Sequence, residues 1–313
     1  AVDSDSVYVG SNDGSLYAIQ RDTGDQRWQF DAANSIRSSP TLTDETLVVG
    51  SDDGTVYGID STTGDRMWEF ETGDSVFSSP TIVNERVYVG SFDGSLYALE
   101  LTTGEQAWAF ETAAPIYSSP TVSDGLVIFA STDRSVYGVA ADTGTQQWQY
   151  SARLQFRSSP TVSDGTVYIG GIDNRVHALE AASGEQRWTS QTDGQVFSSP
   201  TVVDDTVIVG SNDGNLYKLN ANTGDMEVIF QTSEPIFSSP TVLDGVAFLG
   251  GDDGRIYAVD IPSVDQSSSG SRTELHTLGY AIQEKTGVFA PGFGVPITAA
   301  ALGIMSYLLG KQE

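Results

Sequence analysis

Apolar residues in this chain come in short runs separated by Gly, Asp, Asn, Ser and Thr, and the separations recur on a fixed beat. The stretch from Ser78 to Phe110 shows the unit. Ser78-Ser79-Pro80-Thr81-Ile82-Val83 reads as a first strand with Pro at its edge, where a missing N–H is tolerated. Asn84-Glu85 turns the chain into Val87-Tyr88-Val89-Gly90-Ser91, and Phe92-Asp93-Gly94 turns it again into Leu96-Tyr97-Ala98-Leu99. Asp-Gly between two β-rich runs is a hairpin signal, because Gly accepts the positive φ of the turn. Thr103-Gly104 makes a third turn, and Ala107-Trp108-Ala109-Phe110 is the fourth strand. The runs are apolar rather than strictly alternating, which suits sheets covered on both faces. Up to residue 260 no window has the period of an amphipathic helix, so the expected class is all-β.

Counting sets the architecture. Ser-Ser-Pro ends at Pro40, Pro80, Pro120, Pro160, Pro200 and Pro240, forty residues apart without an insertion. The central hairpin occurs seven times, from Val7–Ile19 to Ala247–Val259, and the fourth strand carries Trp28, Trp68, Trp108, Trp148 and Trp188, with Val228 in the sixth copy. A period in the forties built of four short strands is the signature of a β-propeller, one blade per repeat. Seven blades over residues 1–260 is the economical reading, with 261–285 as a linker and Thr273 to Leu278 a candidate outer strand for the last blade. Ala1-Val2 aligns with Thr41-Leu42, so the sequence enters partway through a first strand, and an eighth blade with an upstream segment stays open.

The segments Thr63-Gly64-Asp65-Arg66-Met67-Trp68 and Thr103-Gly104-Glu105-Gln106-Ala107-Trp108, each preceded by Tyr-x-x-Asp or Tyr-x-x-Glu, resemble the tryptophan-docking motif of pyrroloquinoline-quinone-type propeller repeats. The resemblance covers residues 1–260 and implies that Trp28, Trp68, Trp108, Trp148 and Trp188 wedge between adjacent blades rather than bind a ligand. One branch of that family comprises quinone-dependent dehydrogenases, with a larger ring, pocket-building insertions and a Glu/Asn/Asp calcium site. The other comprises cofactor-free scaffolds resembling the BamB lipoprotein. Uniform turns and the absence of Cys point to the second branch, with no cofactor and no metal.

Charge changes the picture of partners. Asp and Glu number 42 against 15 Lys and Arg, a formal charge of −27, which repels phosphate backbones and argues against nucleic acid. Acids at turn positions of every repeat, with only Lys218, Lys285 and Lys311 as lysines, resemble the composition of proteins adapted to molar salt. After Asp260 the repeat stops, and Thr286 to Gly310 carries no charge. A run of about 18 or more mainly apolar residues is a membrane-span candidate. Ala290-Pro291-Gly292-Phe293-Gly294 ahead of it resembles a haloarchaeal Pro-Gly-Phe sorting signal, although the end, Lys311-Gln312-Glu313, and Pro296 depart from that pattern. Residues 286–313 are therefore expected to be a hydrophobic, helical tail, either membrane-directed or packed as a cap on the propeller. The first alternative places the chain on the cell exterior.

Catalytic constellations are sparse. His177 stands where Tyr17, Tyr57, Tyr97, Tyr137, Tyr217 and Tyr257 stand in other repeats and reads as a packing substitute; His276 has no visible partner. Asp-Gly turns lack the alternating carboxylates of a calcium loop, and six identical Ser-Ser pairs without a paired base read as small residues crowded near the axis. The expected protein is not an enzyme. Comparison among repeats is more informative. Before each Ser-Ser-Pro stand Arg37, Phe77, Tyr117, Arg157, Phe197 and Phe237, at one mouth of the channel, while Phe92 and Ile172 replace polar residues at hairpin tips on the same face. Aromatic and Arg side chains are the usual core of a recognition surface, and packing between blades is the alternative use for them. The function expected is a scaffold binding another protein, with a quinone-dependent dehydrogenase and a surface glycan-binding module as the other readings.

Overall fold

The second and third strands of blades 2 to 6 lack polar alternation because both faces of those sheets are covered by the neighbouring sheets. In the computed structural model, which describes residues 1–261, seven antiparallel sheets follow one another along the chain as seven blades. Blades 2 to 6 each have four strands, as in Thr81–Val83, Arg86–Gly90, Ser95–Glu100 and Gln106–Glu111 of blade 3. Blade 1 has three, Ser6–Gly10, Ser15–Gln20 and Gln26–Asp31, with Val2 bridging to Val7; blade 7 also has three, Thr241–Leu243, Val246–Gly250 and Ile256–Asp260. The described residues contain no helix, and so none able to cross a membrane. The expected outer strand at 273–278, the linker and the tail lie outside the described residues.

Six apolar clusters lie between successive blades, each joining one face of a sheet to the opposite face of the next. Between blades 7 and 1 no such cluster is present among the described residues. Val7, Val9, Tyr17 and Ile19 are half-buried there, whereas their counterparts Leu47, Val49 and Ile59 are fully buried. On blade 7, Ala258 is exposed where Ala98 and Ala178 are buried.

The tryptophans sit at these interfaces as the motif implies. Each indole N–H donates to a backbone carbonyl 33 residues on: Trp28 to Ser61, Trp68 to Leu101, Trp108 to Ala141, Trp148 to Ala181 and Trp188 to Ala221. The ring lies over the Thr-Gly turn of the next blade. Gly104 has φ +71°, and a Cβ there would stand 2.6 Å from the Trp68 ring, so both conformation and contact require glycine. Blade 6 departs from the simple alignment. Its bulge falls between Leu216 and Tyr217 rather than two residues later, as between Ala98 and Leu99, so Val228 pairs with Tyr217 and is 52% exposed. Lys218 occupies the position that is Ala or Gly opposite each tryptophan, and it pairs with Glu227 at 3.0 Å. The indole needs a small residue opposite it, so the two substitutions belong together.

The Ser-Ser pairs have a polar task that size alone does not explain. The first serine, buried in blades 2 to 6, clips its strand to the next: Ser38 Oγ donates to the Gly50 carbonyl and accepts from the Gly50 N–H, both at 2.8 Å. The second serine links blades. Ser39 N–H donates to Ser79 Oγ, Ser79 to Ser119, Ser119 to Ser159, Ser159 to Ser199 and Ser199 to Ser239, at 2.8–3.0 Å. This ladder around the axis holds the residues before each Ser-Ser-Pro in a common position.

An arc of aromatic and arginine side chains at one mouth of the propeller

The backbone that begins each inner strand is pinned by the serine ladder, so the residue one step earlier is presented at the mouth of the channel. All six such residues meet in a continuous arc. The Arg37 guanidinium lies 5.2 Å over the Phe77 ring, Phe77 and Tyr117 are 5.9 Å apart, and Arg157 lies 4.8 Å over Tyr117 and 5.9 Å over Phe197. Phe197 and Phe237 are 5.7 Å apart and end the series. Phe92, from its hairpin tip, stacks on Phe77 at 4.4 Å and meets Tyr117 at 4.1 Å. Ile172 holds the same tip position in blade 5, half-buried, its N–H on the Gln155 carbonyl. Display and packing are therefore not alternatives here. Phe77, Phe92, Tyr117, Arg157 and Phe197 are half-buried against each other, while Arg37 and Phe237 at the ends are exposed, Phe237 by 36%.

Polar groups along the arc are incompletely matched. Arg37 Nε pairs with Asp52 Oδ2 at 3.1 Å, but Asp52 Oδ1 has no hydrogen bond, and burial pushes the Asp52 carboxyl up against the opposing pull of Arg37. Arg157 Nε and Asn212 Oδ1 are also buried without a partner. Among the described residues these three are the buried side-chain polar atoms left unpaired, and all belong to this face: Arg157 to the arc, Asp52 and Asn212 to the hairpin tips beside it. Unpaired buried groups are uncommon and call for an explanation.

Other chemistry-bearing residues are committed to the framework. In blade 3 the hairpin carboxylate of Asp93 accepts from the Ser95 N–H at 2.8 Å, the Tyr97 hydroxyl at 2.8 Å and the Gly73 N–H of the preceding loop at 2.7 Å. Blade 2 repeats this with Asp53, Thr55, Tyr57 and Ala33. Burial, with the aspartate acting in the same direction, pushes Tyr57, Tyr97 and Tyr137 up to about 12. No group of His, Asp and Glu suited to a metal occurs among the described residues. His177 fills the tyrosine's place, 2% exposed, with Nε2 3.2 Å from Asp173 Oδ1 and Nδ1 3.0 Å from the Tyr150 hydroxyl.

Seven blades, the interblade tryptophans and the axial serine ladder define a repeat β-propeller. The chain belongs to the family described as "Beta-alanine-activating enzyme, beta-propeller", which matches residues 1–261. Among solved structures it is similar to BamB from Moraxella catarrhalis, at 20% identity and a TM-score of 0.73, with 83% of each chain covered. It is also similar to the computationally designed Ika8 protein, at 19% identity and a TM-score of 0.75, covering 83% of this chain and 82% of that one. No curated protein matches it in sequence. At these identities the structural likeness speaks to the fold.

Proposed function

We propose that this protein is a non-enzymatic scaffold that captures another protein through the arc from Arg37 to Phe237. The observation that carries the reading is the concentration of unpaired buried polar atoms, Asp52 Oδ1, Arg157 Nε and Asn212 Oδ1, on the face that also presents Phe77, Phe92, Tyr117, Phe197 and Phe237. A partner with apolar side chains and a few backbone amides or carboxylates supplies what those atoms lack. Central aromatic and Arg residues commonly carry about 2 kcal/mol or more each when truncated at an interface. The non-enzymatic reading is supported by what the reactive side chains already do: the Ser-Ser-Pro serines hold the backbone, and the hairpin aspartates hold turns, tyrosines and loops. A location on the cell exterior, held through residues 286–313, rests on the uncharged run in the sequence and on the charge of −27.

Affinity capture with the full chain as bait tests the arc. Arg37→Ala, Phe77→Ala and Arg157→Ala are expected to weaken capture, and Asp65→Ala and Thr103→Ala on the opposite face to leave it unchanged. Capture that follows thermal stability across all five variants defeats the reading. Added pyrroloquinoline quinone with calcium is expected to give no saturable binding; turnover with an alcohol would make the protein a dehydrogenase.

A further inference from the structure

Away from the arc, blades 4 and 5 enclose a groove of about 450 Å³ between the loop after Ser151, the hairpin tip at 173–175 and the outer strand Gln186–Gln191. Its volume is that of a small-molecule site, about 300–1,000 Å³. Departures from the repeat converge on it. The Phe–Tyr ring pair that crosses other interfaces, at 5.1 Å for Phe30–Tyr57 and Phe70–Tyr97, is here Tyr150–His177 at 5.7 Å. The hydroxyl has moved from one ring to the other, and Tyr150 uses it to donate to Gln186 Oε1 at 2.9 Å. The serine at Ser51, Ser91 and Ser131 is Gly171 in blade 5, as it is Gly251 in blade 7, and a Cβ at Gly171 would run into Asp173 Oδ1 and approach His177 Nε2 to 3.1 Å. Asn174 replaces the Gly of most tips and keeps its positive φ, +64°, a conformation that is strained for a side chain.

The charge also departs. Fifteen basic residues face 42 acidic ones, yet Arg153 and Arg175 both line this groove and neither meets a carboxylate among the described residues. Arg175 reaches only the Thr189 hydroxyl, at 3.3 Å. The outer strands of blades 4 to 6 end on the uncharged Ser151, Gln191 and Gln231, where those of blades 1 to 3 end on Asp31, Glu71 and Glu111, so the groove faces Ser151 and Gln191 rather than carboxylates. The walls offer amides and hydroxyls, Asn174, Gln186, Thr189 and Gln191, and apart from the small Ala152 they offer no aliphatic anchor for a peptide. Donors and acceptors spaced around two guanidinium groups that lack a carboxylate partner among the described residues suit a ligand carrying several hydroxyls and one carboxylate.

We propose that this groove is a binding site for an acidic sugar, a hexuronate unit of a glycan, independent of the arc. Arg153 and Arg175 hold the carboxylate; the amides and Thr189 hold the ring hydroxyls; Asp173, His177 and Tyr150 form the floor that keeps Gln186 in place.

Calorimetric titration of the full chain with short oligogalacturonates tests it, with neutral glucose oligomers, inorganic phosphate and a Glu-rich peptide as comparisons. Saturable uronate binding is expected, weakened roughly tenfold or more by Arg153→Ala or Arg175→Ala, as for loss of a charged hydrogen bond. The double substitution Tyr150→Phe with His177→Tyr restores the ring pair of blades 1 to 3, so the chain should fold with an unchanged melting temperature and still lose uronate affinity. Equal affinity for phosphate, a preference for the Glu-rich peptide, or variants that bind uronate as the parent does would each overturn the assignment.

Discussion

Gly104 and Gly125 separate two demands that one residue type meets. Both have positive φ, +71° and +76°, but a Cβ at Gly125 meets nothing within 4 Å, while at Gly104 it meets the Trp68 ring at 2.6 Å. Gly125→Ala should therefore show the backbone penalty alone, about 1–2 kcal/mol. Gly104→Ala should lower the urea midpoint further, because the clamp between blades 2 and 3 must also open. Equal midpoints for the two variants would mean that the ring is free to move aside. Trp108→Ala removes a 9% exposed indole and its bond to Ala141, and is expected to cost about 3–5 kcal/mol in chemical denaturation. The tryptophans were legible in sequence because five copies recur at one spacing. The glycine under each ring was legible only as a turn residue, since its partner lies in the preceding blade.

Every hairpin but that of blade 5 is a small electrostatic unit, an aspartate that caps its own turn and accepts a tyrosine hydroxyl, as with Asp53 and Tyr57, Asp93 and Tyr97, and Asp133 and Tyr137. Tyr57, Tyr97 and Tyr137, pushed up to about 12 by burial first and the aspartate second, keep their protons in the folded blade after the unfolded chain begins losing them near pH 10. The stability they contribute is complete below about pH 10 and is lost as pH rises through about 12. Denaturant midpoints should hold steady up to about pH 9 and fall steeply above it, and Tyr97→Phe should flatten that fall. A midpoint indifferent to alkali would show the tyrosines to be solvated. Strand order and turns in each blade followed from the repeat. The shifted bulge of blade 6 did not, because Lys218 and Val228 read as isolated substitutions until pairing shows that the small residue opposite the indole has gone. Arg153, Arg175 and Tyr150 carried no signal in the sequence reading, because their convergence depends on separate strands and loops.

Among the described residues the apolar clusters join neighbouring blades, so at the scale of the whole molecule stability should be graded along the series as in other repeat proteins. Hydrogen exchange is expected to be fastest in blades 1 and 7, each packed on one face among the described residues, and slowest in blades 3 to 5. Uniform protection would show that blades 1 and 7 are covered in solution. The net charge sets a second expectation: dilution from 1 M to 0.1 M salt lengthens the Debye length from about 3 Å to 10 Å, so the melting temperature should fall as salt is removed. A flat response would separate the acidic composition from any salt requirement. The arc was legible as a set of variable positions before a constant tripeptide, while its contacts, one ring resting on the next, required the serine ladder to set their spacing. That ladder has a direction. Every link uses an N–H from the earlier blade and an oxygen from the later one, so within the described residues Ser239 N–H and Ser39 Oγ are left as a donor end and an acceptor end. A series with unlike ends has polarity, as a filament subunit does: a further blade of this kind joins in one orientation, head to tail, and a reversed blade finds donor facing donor.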